Sequence, residues 1–250
     1  MSYKSLCSEF YDLTKPTPTP KEWHFYNNLV KQYAGPCLEA MCGSGRLLLP
    51  LLEQGYEVDG VDNATNMLKL CKTKCSVRFP KLNLFEQNLE NLELPYKYKL
   101  IFISIGSFQH IKKIDEAVIS LRKLHDHLSP NGTLVIETFA KENLIPDNPK
   151  SPLAFKWRCN SKKGYEIINK SIAQFIEPNL ILNQMQYEKW ENGHLQKTEK
   201  NAWHIRAYEE KEMKQMLSEA GFNSITIAHK SFEYNPHAII YFANQQSKYI

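Results

Sequence analysis

The stretch CLEAMCGSGRLLLPLLEQGYEVDGVD, Cys37 to Asp62, decides how the rest of the chain is read. A short apolar run over 37–40 meets a glycine-rich turn. A helix-like apolar pattern follows over 45–54, and a second short run over 56–61 ends beside the acid Asp62. In such a strand–helix–strand unit the first turn sits at the positive end of a helix. Gly43 and Gly45 let backbone N–H groups approach a ligand closely there. Asp62 follows Gly43 by 19 residues, about the separation at which an acid in this position bonds a ribose hydroxyl. Taken singly, Gly-Ser-Gly also reads as a tight turn and Asp62 as a helix cap. Together with Glu39 they favour a ribose-containing ligand at the carboxyl edge of a sheet.

Two residues argue against a dinucleotide. Leu48 stands where the third glycine of a dinucleotide fingerprint belongs. Glu39 ends the first strand beside the turn, and its carboxylate repels a pyrophosphate but attracts an ammonium or sulfonium group. A nucleoside with a cationic amino-acid tail satisfies both facts, and S-adenosylmethionine is that molecule.

The whole chain is compatible with such a site. Its 250 residues suit one large domain, or one domain with an insert. The net charge of +4 is mild, the signs are mixed and there is no basic tail, so neither a nucleic-acid nor a membrane partner is expected. The N-terminus MSYKSLCSEFYDL lacks a signal-peptide layout, and apolar runs such as LIFISIG are too short to span a bilayer. Cys7, Cys37, Cys42, Cys71, Cys75 and Cys159 read as free buried thiols of a cytoplasmic protein. Cys71 and Cys75 lie four apart, but no second pair has ligand spacing, so no metal site is expected.

TKPTPTP, 14–20, reads as a stiff linker after a short N-terminal element over 1–13. Thr19, Pro20 and Glu22 then start a helix over 20–33 with a capping box. From residue 35 the chain alternates. Strands are expected over 37–40, 56–61, 83–87, 99–104 and 133–138. Helices are expected over 45–54, 64–75 and 112–128, with SPNG as a turn. This rhythm predicts an α/β, Rossmann-like, doubly wound, mostly parallel sheet of seven strands. Residues 153–206 change it to β-rich segments separated by SKKG, EPN and ENG, which read as an inserted antiparallel meander. A helix over 209–220, ended by Gly221, and strands over 223–230 and 237–243 complete the sheet. The expected organisation is an N-terminal segment 1–34, a cofactor-binding core 35–152, a β lid 153–206 and the end of the core 207–250.

Several stretches resemble motifs of the class I S-adenosylmethionine-dependent methyltransferases. Glu39 to Gly45 is similar to their first motif and VDGVDNATNML to their second. FEQNLENLEL resembles the adenine-reading segment, and YKLIFISIGSFQHI the fourth strand and its loop. LSPNGTLVIE resembles the fifth strand, and RAYEEKEMKQMLSEAGF the late helix. The likeness covers most of 37–138 and 206–222. Met41 departs from it by replacing the family's first glycine, and Asn88 by replacing its usual Asp.

The resemblance implies residue roles. Glu39 lies near the methionine amino group, and Met41 against the methionine tail. Gly43 and Gly45 offer backbone. Asp62 bonds the ribose hydroxyls, Asn63 and Met67 flank the adenine, and Asn88 and Leu89 read its edge. Ser104 ends the fourth strand beneath the methionine portion. Tyr11 matches an aromatic that closes over the cofactor, or is simply core. Arg46 pairs with the cofactor carboxylate, or is simply solvated. His110, in the loop after the fourth strand, is the candidate general base; its alternative is a hydrogen-bonded loop histidine. Trp157, Arg158, Trp203, His204 and Arg206 line an acceptor pocket or pack the insert. The remaining histidines, His24, His125, His127, His194, His229 and His237, lack ligand spacing.

The reaction implied is in-line transfer of a methyl group from S-adenosylmethionine to N or O of a small-molecule acceptor. The absence of an Asn/Asp-Pro-Pro-Tyr motif after the fourth strand argues against adenine or glutamine amides as acceptors. The meander resembles the lid of small-molecule methyltransferases, which also offers a homodimer contact. Two alternatives stay open: an NAD(P)-dependent oxidoreductase on the same sheet, and a non-catalytic cofactor-binding module.

Overall fold

A computed structural model describes residues 3–75, 77–144 and 152–244. Residues 1–2, 145–151 and 245–250 of the expected segments lie outside it. The chain runs α1 (Ser5–Thr14), α2 (Pro20–Tyr33), β1 (Cys37–Ala40), α3 (Leu48–Glu53), β2 (Val58–Asp62), α4 (Thr65–Cys75), β3 (Leu84–Glu86), β4 (Tyr98–Ile103), α5 (Ile114–Asp126) and β5 (Leu128–Phe139). It continues with α6 (Lys141–Leu144), β6 (Leu153–Asn160), β7 (Tyr165–Glu177), β8 (Leu180–Glu191), β9 (His194–Arg206), α7 (Glu210–Glu219), β10 (Ser224–Lys230) and β11 (Ala238–Asn244).

Seven strands form one sheet in the order β3-β2-β1-β4-β5-β11-β10. The first five are parallel, and β11 runs antiparallel to both β5 and β10. The strand order reverses between β1 and β4, the switch point at whose carboxyl edge such sheets bind ligands. Both faces are covered, so β4 reads as a continuous apolar run from Leu100 to Ile103. Along it Ile101 and Ile103 join the core beneath α5 and α7, with Leu121, Leu124 and Met216. Leu100 and Phe102 join the opposite core beneath α2, α3 and α4, with Tyr26, Leu51 and Leu68. No helix of the described residues is long and apolar enough to cross a membrane.

The helix expected over 45–54 begins only at Leu48. Gly43 (φ 55°) and Gly45 (φ 78°) hold the preceding backbone in the left-handed region, so a right-handed helix cannot start before they are passed. SPNG does not separate two elements. It sits inside β5 as an irregularity, with Asn131 at φ 62° and a register shift against β4 between Tyr98 and Leu100.

The inserted strands form a separate antiparallel sheet in the order β6-β7-β8-β9. Asn192 (φ 50°) and Gly193 (φ 75°) make the tight turn from β8 to β9. Helix α1 lies on this sheet, where Leu6 and Cys7 pack against Ile167, Met185 and Tyr187. The same helix reaches the core, because Lys74 of α4 pairs with Asp12 at 2.6 Å and Asn66 Nδ2 donates to the Tyr3 carbonyl at 2.9 Å.

Candidate active site

A cleft opens at the switch point and brings together most of the expected residues. Tyr11, Glu39, Met41, Gly43, Arg46, Asp62, Asn63, Met67, Asn88, Ser104 and His110 all line it. Gly45 and Leu89 do not. A Cβ on Gly45 would lie 2.7 Å from the Cys71 sulfur, so this glycine lets the turn pack onto α4 instead of offering backbone to a ligand. Leu89 is 6% exposed and belongs to the core; it borders a small adjoining cavity shared with Met41, Asp62 and Asn63. Leu48, where a dinucleotide site needs a glycine, is fully buried against β2. Gly60 supplies the room, since a Cβ there would lie 3.0 Å from the Leu48 side chain.

Asp62 ties the two halves of the opening motif together. One carboxylate oxygen accepts the Gly43 N–H at 2.8 Å, and the other accepts the Ala64 N–H at 2.8 Å. The bond to Ala64 is a turn ahead of the next helix and not a cap on it, and Asp62 keeps its place in the cleft. Burial pushes its pKa up, against the pull of these backbone N–H groups. Met41 adopts φ 60°, the left-handed conformation a glycine takes without strain. Here a side chain is kept in the cleft at a cost of about 1–2 kcal/mol.

Glu39 and Arg46 are both in the cleft, but not as a simple pair. Arg46 is 4% exposed and grips Glu22 of α2 through two bonds of 2.6 and 2.5 Å. It is thus neither solvated nor unpaired. Glu22 also accepts the Thr19 N–H at 3.3 Å, so the residue that starts α2 also anchors the arginine. Glu39 is 3% exposed, and its Oε2 has no hydrogen-bond partner. Burial pushes its pKa up to about 8, with Arg46 opposing. Tyr11 is in contact with Arg46, and burial raises its pKa as well.

Asn63 Nδ2 donates to Asn88 Oδ1 at 2.6 Å. The oxygen expected to read an adenine amino group already has a donor, leaving Asn88 its amide N–H groups and one lone pair.

The loop after β4 supplies the other wall. Ser104 is 5% exposed. Ile105 (φ 49°) and Gly106 (φ 67°) follow in the left-handed region, which is strained for a β-branched residue. A Cβ on Gly106 would lie 2.3 Å from the Phe139 ring. His110 Nδ1 lies 3.0 Å from the His204 carbonyl, so Nδ1 carries the proton and Nε2 the lone pair. Burial pulls its pKa down to about 4, so the ring is neutral near pH 7. The Trp203 ring packs edge-on to His110 at 5.5 Å and against Tyr3 at 5.2 Å.

The lid cluster expected from sequence divides. Trp203 and the His204 carbonyl touch the site. Arg206 bonds the Lys112 carbonyl and Glu212. Trp157 is 60% exposed on β6, and Arg158 pairs with Glu166. Sequence reasoning missed Tyr3, Glu90, Ile105, Ser107, Ile111 and Glu116, which also line the cleft. Only Ile-Gly after the fourth strand carried a signal, as a place where the backbone turns sharply.

The Methyltransferase domain family matches residues 37–132. A Geobacillus sp. (strain WCH70) protein, named provisionally as a methyltransferase, is 24% identical over 238 residues, 91% of each chain. A Rickettsia akari ubiquinone biosynthesis O-methyltransferase is 28% identical over 101 residues, 40% of this chain and 39% of that one. Among solved structures, an S-adenosylmethionine-dependent methyltransferase from Clostridium acetobutylicum superposes with TM-score 0.77 at 19% identity, covering 96% of this chain and 98% of that one. The sugar N-methyltransferase KedS8 from Streptoalloteichus gives 0.75 at 14% identity, with coverages of 96% and 92%. At these identities the structural likeness speaks for the fold.

Proposed function

We propose that the chain is a class I S-adenosylmethionine-dependent methyltransferase and that it methylates a nitrogen of a small-molecule acceptor. S-adenosylmethionine supplies the activated methyl group and leaves as S-adenosylhomocysteine. The residues of the cleft fit this cofactor. The single observation that carries the fit is Glu39 Oε2, a buried acceptor without a partner that suits an ammonium group. Asp62 keeps lone pairs for ribose hydroxyls beyond the two backbone N–H groups it accepts. Arg46, held rigidly by Glu22, has further N–H groups for a carboxylate. Asn63, Met67, Asn88 and Tyr11 line the cleft; the first three would hold the adenine, and Tyr11 would cover the methionine portion.

Transfer of this kind needs alignment and exclusion of water more than proton movement. His110 orients the acceptor: its unprotonated Nε2 accepts an N–H and directs the nitrogen lone pair. With a pKa near 4 it is too weak a base to take a proton from an alcohol, whereas a neutral amine needs no prior deprotonation. Glu90 and Glu116 add negative charge to the lining and favour a cationic product. The sugar N-methyltransferase name of KedS8 supports nitrogen. The O-methyltransferase name of the Rickettsia relative keeps oxygen as the second reading. The free thiols fit a reducing, cytoplasmic setting. The exposed edge strand β6 fits a homodimer contact through the lid.

The test begins with calorimetric titration of S-adenosylmethionine into the wild type and Asp62→Ala. Binding lost in the variant is the expected result. A panel of paired amines and alcohols, read by methyl label, then separates nitrogen from oxygen. Label on an RNA or a protein, with the panel untouched, would overturn the small-molecule reading.

A further inference from the structure

Glu137 is a buried carboxylate that the chemistry above does not use. It is 1% exposed near the end of β5. Ile136 is in register with Ile103 of β4, so Glu137 stands level with the start of the loop that walls the cleft. Its Oε2 accepts the Tyr26 hydroxyl of α2 at 2.8 Å and the Ile105 N–H at 3.0 Å. Its Oε1 accepts Asn235 Nδ2 at 2.9 Å. Asn235, 1% exposed in the turn before β11, donates to the Thr138 carbonyl as well at 3.1 Å. One carboxylate thus joins the helix before the sheet, the turn before the last strand and the strained loop after β4.

Ile105 needs such an anchor. It lines the cleft, is β-branched and sits at φ 49°. A residue of that kind leaves the left-handed region unless the surroundings hold it there. Its N–H has turned away from regular strand pairing and finds Glu137. The two following backbone bonds, Ser107 N–H to Ser104 carbonyl at 3.1 Å and Gln109 N–H to Gly106 carbonyl at 3.0 Å, are local and cannot fix the loop against β5. Gln109 does so at the far end, through the Phe139 N–H and carbonyl. Glu137 does it at the near end, beside Ser104.

We infer that Glu137 is a positioning residue for methyl transfer: its carboxylate holds the strained Ile105 backbone and thereby sets Ser104, Ser107 and His110 around the cofactor. This rests on the methyltransferase reading of the cleft.

The test compares three variants with the wild type, using S-adenosylhomocysteine as the calorimetric probe. Glu137→Leu keeps the volume but leaves the Ile105 N–H without an acceptor. Glu137→Gln retains one oxygen for Tyr26 and Ile105, and its amide can meet Asn235 Oδ1, which has no partner in the wild type. Leu217→Ala, in the buried core on α7, destabilises at a residue that does not line the cleft. The expected result is binding at least about tenfold weaker in Glu137→Leu, equivalent to ~1.4 kcal/mol, with near wild-type binding in Glu137→Gln and Leu217→Ala. In the wild type, the Ile105 amide should be protected from hydrogen exchange even without ligand. Equal affinity in Glu137→Leu and Leu217→Ala, at temperatures where both are folded, would reduce Glu137 to a stability role and overturn the inference. If Glu137→Leu does not fold, an Ile105 amide that exchanges fast in the wild type overturns it, and one protected in both the wild type and Glu137→Gln, where an oxygen remains to accept it, supports it. Failure of the wild type to bind the probe at all would instead count against the methyltransferase reading.

Discussion

Glu39 is a buried cleft carboxylate whose surroundings are unfinished without a ligand. Its nearest cation, Arg46, is already committed to Glu22, and its Oε2 has no donor. Burial therefore lifts its pKa from the ordinary 4.5 to about 8. Between those values the folded protein holds a proton that the unfolded chain has released. The stability tied to this group is complete below the unfolded value and is lost as the pH rises through the folded one. The melting temperature of the cofactor-free wild type is expected to fall between about pH 5 and pH 8 relative to Glu39→Gln, whose curve should be flatter. Parallel curves would mean that Glu39 ionises normally and offers no poised acceptor.

Helix α1 shows how a short element is made stable by its neighbours. Ten residues are marginal as an isolated helix. Lys4, in the capping position, provides no side-chain cap. The cap comes from the lid: Glu199 of β9 accepts the Leu6 N–H at 3.1 Å, the Cys7 N–H at 3.0 Å and the Ser5 hydroxyl at 3.1 Å. A carboxylate on the first free N–H groups of a helix also meets the positive end of its dipole. Replacing Glu199 by Ala should cost about 1 kcal/mol, the usual worth of a cap. It should also release the segment that carries Tyr3 and Tyr11 into the cleft. Limited proteolysis is the measurement. Earlier cleavage near the N-terminus, suppressed again by S-adenosylmethionine, is expected; an unchanged digestion pattern would show that apolar packing alone holds α1.

The molecule as a whole is a mostly parallel sheet closed over by a second, smaller sheet. That second sheet has an edge. Among the described residues strand β6 pairs only with β7, and it carries Phe155 at 44% and Trp157 at 60% exposure. Such an edge is a ready template for another strand, and a second copy of the chain is the occupant proposed for it. Light scattering should report a dimer for the wild type and a monomer for Trp157→Lys, because a charged edge residue discourages strand pairing. A monomeric wild type at high micromolar concentration would remove the lid as a dimer contact.

Local patterns in the chain were enough for the strand order's ingredients, the meander and the heart of the cofactor cleft. Strand–helix alternation is a short-range signal, and so is the turn chemistry of Asn192-Gly193. The spacing from Glu39 through Gly43 to Asp62 works because one strand–helix–strand unit brings its own ends together. Gly45 and Leu89 show the limit even there. Each sits in a matching motif, but whether it faces ligand or core depends on α4 and α5, which pack on it from elsewhere. The opposite wall of the cleft and its support were legible only in part, since His110 and Trp203 were expected there and Tyr3 and Glu137 were not. Tyr3, Trp203, His110 and Glu137 are far apart in the chain, and no local periodicity links them. They meet because the lid folds back so that the His204 carbonyl reaches His110, and because β5, α2 and the turn before β11 converge on one carboxylate. A hydrogen bond spanning 94 residues, like that between His110 and His204, leaves no trace in either segment, since each donor and acceptor is a common group that many folds could satisfy.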